Sequence, residues 1–146
     1  MHNSKIKKKI ITLIGPTACN KTSTAVHLIK KFPISIIGVD SVQIYKRFNI
    51  GSAKPPKEIL EKYKHHLVDS ADPENIFSVK DFYDQAYRIV LQAHSNNRIP
   101  LLVGGTMMYF NAVFKGINDI PEGNEAIREE PVSYTHLRAH ETRTHR

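Results

Sequence analysis

Apolar residues fall along this chain in two rhythms, short solid runs and stripes at helical spacing. The runs are Ile10-Ile11-Thr12-Leu13-Ile14, Ile34-Ser35-Ile36-Ile37-Gly38-Val39 and Ile99-Pro100-Leu101-Leu102-Val103. The second and third are the pattern of strands covered on both faces. His65-His66-Leu67-Val68-Asp69 predicts a further short strand at an edge or crossover. Between the runs, Ala25, Leu28 and Ile29 share the face of a helix expected from about Lys21 to Lys30. Phe82, Ala86, Ile89, Val90 and Ala93 do the same for a helix ending near Ser95. Ser78-Val79-Lys80-Asp81 opens it as a capping box with Asp at the position usual for Glu, and Asn96-Asn97 stops it. A short helix is expected over Lys57 to Lys64, and one carrying Tyr109, Phe110, Val113 and Phe114 follows Gly104-Gly105-Thr106. Ser41 to Pro56 reads as loop, broken by Gly51 and Pro55-Pro56, and Asp72-Pro73 as a turn. Strands alternating with helices predict a parallel sheet with helices on both faces.

The junction of the first strand and first helix carries the chemistry. It reads Gly15-Pro16-Thr17-Ala18-Cys19-Asn20-Lys21-Thr22, the placement of a phosphate-binding loop. Backbone N–H groups at the helix start would cradle phosphate oxygens, and the helix dipole adds positive charge there. Lys21 would supply a full charge and the Thr22 hydroxyl a ligand for Mg²⁺. The fold class is therefore α/β, a P-loop NTPase-like parallel sheet flanked by helices. Asn20 stands where G-x-x-x-x-G-K-[ST] has its second glycine. Asn is one of the few other residues that tolerate the left-handed backbone such a turn needs. Asp40 ends the second strand, and the carboxyl ends of parallel strands are where open α/β sheets place ligands.

Length and composition narrow the class further. The chain has 146 residues, 40% hydrophobic and 24% charged, room for one domain. No apolar run approaches the ~20 residues that cross a membrane. The basic start, Met1 to Lys9, leads straight into the phosphate loop, so cleavage as a leader would destroy the site, and a cytoplasmic protein is expected. Cys19 is the one cysteine, so no internal disulfide forms. A thiol at a helix start can react with oxidants, but a small residue filling a serine-sized slot is the favoured reading. The net charge of +7 suits a polyanionic partner. Residues 131–146 hold three of the eight histidines and continue neither rhythm. His136 and His140 have no cysteine or carboxylate arranged with them, so a metal site is not expected. This stretch resembles translated adaptor sequence, so residues 1–130 are taken as the catalytic portion and 131–146 as a non-native tail.

Four segments together resemble the tRNA dimethylallyltransferases, the isopentenyl (IPP) transferase family. Gly15 to Thr22 is similar to their GPTxSGKT loop, and Asp40-Ser41-Val42-Gln43-Ile44-Tyr45 to D-S-x-Q-x-Y. Gly51-Ser52-Ala53-Lys54-Pro55 is similar to G-T-A-K-P, and Ile99 to Tyr109 to I-P-x-x-V-G-G-T-x-x-Y. The resemblance implies transfer of a dimethylallyl group from its diphosphate to N6 of the adenosine beside the tRNA anticodon. Asp40 would be the base that takes the amine proton. The loop from Gly15 through Pro16, Thr17, Ala18, Cys19, Asn20, Lys21 and Thr22 would hold dimethylallyl diphosphate, with Mg²⁺ at Thr22. Asp40, Ser41, Val42, Gln43, Thr106 and Arg128 would meet the tRNA anticodon stem-loop, and a monomer is expected. Lys54 reads either as a phosphate contact or as a solvated surface lysine. The alternative for Ser41 and Gln43 is turn hydrogen bonding, and for Asp40 a helix-capping or loop-structuring role. Paired His65-His66 read as core and surface histidines, and Tyr45 and the aromatics of the last helix as packing residues.

Full members of this family are roughly twice as long, so the chain is expected to be a truncated form with weak or no activity. An adenylate isopentenyltransferase would use the same chemistry on a free nucleotide. A P-loop kinase would need an arginine-rich lid, which is not evident before Pro131, and a non-catalytic phosphate- or RNA-binding fragment would bind without transfer. No Asn-Lys-x-Asp motif of a GTPase is present.

Overall fold

A computed structural model describes residues 8–117. The elements run β1 (Ile11–Ile14), α1 (Lys21–Lys31), β2 (Ile34–Val39), α2 (Lys57–Lys62), β3 (His65–His66), α3 (Val79–Ser95), β4 (Ile99–Gly104) and α4 (Met107–Lys115). The sheet has the order β1-β4-β2-β3, and every pairing is parallel. In β2 the side chains alternate between two cores. Ile34 and Ile36 join Leu101 under Ala25 of α1, while Ile37 and Val39 join Leu102 under Phe82 of α3 and Phe110 of α4. Two cores explain why the run shows no polar alternation: both of its faces are covered by helices.

β1 differs from the other two runs. Ile11 and Ile14 are 41% and 45% exposed, because β1 pairs with β4 alone among the described residues. β3 is shorter than its sequence suggests, since Leu67 and Asp69 take left-handed backbone at φ 60° and 56° and leave the ladder. α2 stops at Lys62 because Tyr63 is already extended. The capping box of α3 forms as expected: Ser78 Oγ accepts from Asp81 N at 3.1 Å, and Asp81 Oδ2 accepts from Ser78 N at 2.8 Å. Ser78 Oγ also donates to Asp81 Oδ2 at 2.7 Å, and that bond, with the one from Ser78 N, holds the Asp81 carboxyl below its ordinary pKa. No described helix is long and apolar enough to cross a membrane.

His65 and His66 give the domain an acid-sensitive edge. His65 Nδ1 donates to Tyr63 O at 2.7 Å, and its other ring nitrogen is buried without a partner. Burial lowers the pKa of both rings, and Lys64, Arg98 and His65 lower that of His66 further. The unfolded chain therefore binds protons near the ordinary value of 6.5 that the folded chain refuses. Stability should fall as pH drops below that value and should be fully present above it. Urea midpoints taken at about pH 7.5 and about pH 5.5 would show the loss, and His65→Gln should reduce it.

Candidate active site

The phosphate-type loop sits at the carboxyl end of β1 and is pinned to its neighbour. Gly15 N donates to Gly104 O at 3.3 Å. A Cβ at Gly15 would stand 2.6 Å from Cys19 Sγ, so any larger residue there would force the Cys19 side chain to shift. Ala18 and Asn20 both take left-handed backbone, Asn20 with φ 60° and ψ 25°. Asn20 thus adopts the conformation expected of the usual glycine, with a side chain that tolerates it. Asn20→Gly should leave diphosphate affinity within about twofold of the parent, whereas Asn20→Val should cost about 1–2 kcal/mol of folding stability. Calorimetric titration with diphosphate and thermal melts would check the pair. Lys21 Nζ folds back over the loop, donating to Gly15 O at 2.7 Å and to Pro16 O. Its ammonium therefore lies over the loop backbone, where an incoming phosphate would be met.

β2 and β4 converge beside this loop. Gly105 N and Thr106 N both donate to Val39 O at 3.2 Å. A Cβ at Gly104 would run into the Val39 backbone, so glycine is what lets the two strand ends approach. Asp40 follows directly. Its Oδ1 accepts from Val42 N at 2.8 Å and Gln43 N at 3.0 Å. The loop-structuring reading of Asp40 is therefore real for one oxygen, and Oδ2 carries no hydrogen bond among the described residues. Thr106 Oγ1 accepts from Ser41 N at 3.0 Å and lies 3.4 Å from Ser41 Oγ, joining residues 65 positions apart. Gln43 Nε2 donates to Ser52 O at 3.1 Å and Ala53 O at 3.0 Å, so its amide nitrogen fastens the loop at Ser52-Ala53. All of Gly15 to Thr22, together with Asp40, Ser41, Val42, Gln43 and Thr106, line one cavity of about 810 Å³. Arg128 lies outside the described residues, as does the stretch 131–146.

Lys54 corrects both sequence expectations. It neither reaches the cavity nor lies in solvent. Its side chain is 4% exposed, and Nζ donates to Tyr45 O at 2.9 Å, Asn49 Oδ1 at 3.2 Å and Asp69 Oδ1 at 2.7 Å. It is the internal tie of the Ser41–Pro56 loop. Lys54→Met should destabilise the domain by about 1–3 kcal/mol, the cost of losing hydrogen bonds made by a charged group, read as a lower urea midpoint with unchanged slope. Tyr45 accepts Phe77 N on its hydroxyl at 3.1 Å and packs against the core, as expected. Five lining residues had no motif to announce them: Ser23, Val26, His27 and Lys30 of α1, and Ile59 of α2. The helical period offered the signal for those of α1, since Ser23, His27 and Lys30 share a face with the loop end.

A Mg²⁺ ion fits this donor set only through its ligand. No group of three His, Cys, Asp or Glu side chains converges among the described residues. Thr22 could supply one hydroxyl oxygen, with phosphate oxygens and water completing the shell, the manner in which Mg²⁺ is commonly held beside phosphates.

A parallel sheet with helices on both faces and a phosphate-type loop between β1 and α1 defines a P-loop NTPase-like α/β protein. The family model described as IPP transferase matches residues 43–145, and the chain belongs to that family. It is 43% identical over 129 residues to a Dichelobacter nodosus protein named tRNA dimethylallyltransferase, covering 88% of this chain and 41% of that one. A Legionella pneumophila protein of the same name is 44% identical over 124 residues, covering 85% and 40%. The crystal structure of the full-length tRNA isopentenylpyrophosphate transferase from Bacillus halodurans superposes with a TM-score of 0.72 at 39% identity, over 90% of this chain and 44% of that one. A eukaryotic dimethylallyltransferase captured acting on tRNA gives 0.70 at 27% identity, over 80% and 28%. The chain spans about 41% of the length of the first of these relatives.

Proposed function

We propose that this chain is the donor-binding portion of an enzyme that transfers a dimethylallyl group from dimethylallyl diphosphate to N6 of the adenosine next to a tRNA anticodon. The observation that carries it is the meeting of the phosphate-type loop and Asp40 in one cavity. The names of the relatives support the substrate pair. The exocyclic amine attacks the allylic carbon, the carbon–oxygen bond to diphosphate breaks, and the amine proton passes to Asp40 Oδ2. Two amides hold Oδ1, so the carboxylate is oriented before substrate arrives, which is what a positioned base requires. Loop N–H groups and Lys21 receive the charge that gathers on the departing diphosphate. Mg²⁺, bound through Thr22, would add Lewis-acid stabilisation of that leaving group.

On the acceptor side, the adenine must leave the stack of the anticodon loop to reach the cavity. Ser41 and Thr106 form one rim and Gln43 retains its amide oxygen for a base edge, with Val42 exposed beside them. Arg128 is proposed to join them. A cytoplasmic, monomeric protein fits the reading. The test offers labelled dimethylallyl diphosphate to a form extended to the relatives' length, with unmodified tRNA, adenylate or no acceptor. Label on tRNA alone supports the reading; label on adenylate alone replaces it with free-nucleotide prenylation.

A further inference from the structure

A second cavity, of about 420 Å³, lies where β2 and β4 begin, at the opposite end of these strands from the candidate active site. Its wall includes Lys62, Lys64, His66 and Arg98, with the amides of Gln92 and Asn96, and no carboxylate. Lys30 and Lys62 flank the ring of Tyr63, which also lines it, with Nζ 5.9 and 5.6 Å from the ring centroid. Among the described residues the ion pairs are Lys54–Asp69, Lys57–Glu61 and Lys80–Asp84, so none of these cations is neutralised.

Arg98 is the fixed member of the group. Its Nε donates to Ser35 Oγ at 3.1 Å, and a terminal nitrogen donates to Ile34 O. Those bonds hold the guanidinium against the start of β2 and leave the rest of its donor fork unspent. A guanidinium already immobilised loses little entropy on binding an anion, and a planar fork suits phosphate oxygens. The exposed Lys62 and Lys64 are free to close over such a group. Like charges gathered without a counter-charge repel one another, and a bound anion relieves that repulsion.

We propose that this cavity is a second anion site, taking a phosphate group either as a free anion or as part of an RNA backbone. The occupant would be sensed at His66, whose ring shares the wall with Lys62, Lys64 and Arg98, follows His65 in β3, and has from α3 and its C-cap only the uncharged Gln92 and Asn96 in the same wall. The site shares no lining residue with the donor cavity, so it stands whether or not prenyl transfer does.

The experiment follows the His66 ring by NMR in the full chain across a pH series, with inorganic phosphate, a short single-stranded RNA, or chloride at matched ionic strength. Phosphate or RNA should raise the His66 pKa saturably where chloride does not, and which of the two does so identifies the source. Lys64→Ala, an exposed change that leaves the fold intact, should weaken that response by about tenfold, and Arg98→Lys by a similar factor. Lys21→Ala, which disables the phosphate-type loop, should leave it unchanged. An unmoved His66, an equal effect of chloride, or a response lost in Lys21→Ala but kept in Lys64→Ala would each overturn the proposal.

Discussion

Asp40→Asn should slow prenyl transfer by about 10²–10⁴-fold, the range for removing a positioned general base, while dimethylallyl diphosphate still binds. The split follows from the two carboxylate oxygens. Oδ1 accepts from Val42 N and Gln43 N, and an asparagine carbonyl can accept the same bonds, so the turn survives. The oxygen that would take the amine proton is replaced by an amide nitrogen that cannot. The loss should therefore appear in kcat with donor affinity within about threefold of the parent, because phosphate contacts are untouched. Asp40→Ala should behave differently. It removes both turn bonds and should add about 1–2 kcal/mol of destabilisation, as losing a capping side chain does. Single-turnover kinetics and urea melts on both variants, in the extended form, separate chemistry from folding.

Phe82→Ala should cost about 3–5 kcal/mol of stability, the range for emptying a buried aromatic site. Phe82 is fully buried and stacks on Tyr109 with ring centroids 4.1 Å apart and planes within 9°. The stack joins α3 to α4, and the residue directly before α4 is Thr106, whose hydroxyl holds Ser41 on the cavity rim. A small domain has only about 5–15 kcal/mol in total. The variant should therefore unfold at a markedly lower urea concentration and lose the rim contact first. Phe82→Leu, which restores most of the volume, should recover the larger part of both. Hydrogen exchange at the Ser41 amide reports the rim and the urea midpoint reports the core.

How far the sequence could be read depended on whether a feature was local. β2 occupies Ile34–Val39 as its apolar run predicts, because Phe32-Pro33 and Asp40 bound it on both sides. The capping box and the left-handed Asn20 were legible for the same reason: each is settled within a few residues. The exposure of β1 was not, since burial of a strand depends on what pairs beside it and not on its own composition. Lys54 was misread because its partners Tyr45, Asn49 and Asp69 stand up to 15 positions away. A lysine in a loop carries no local mark of being buried. The contact of Ser41 with Thr106 spans 65 positions, and only the resemblance of two separate motifs to one family put both at the same site. His27 and Lys30 belong to no motif, and the apolar stripe of α1 drew attention to its other face.

The most direct test of the central claim is the nucleoside composition of a defined tRNA after incubation with dimethylallyl diphosphate and the chain extended to its relatives' length. N6-dimethylallyladenosine next to the anticodon, formed by the parent and absent or strongly reduced with Asp40→Asn, is the expected result. A folded, extended protein that binds the diphosphate but leaves that adenosine unmodified would contradict the account.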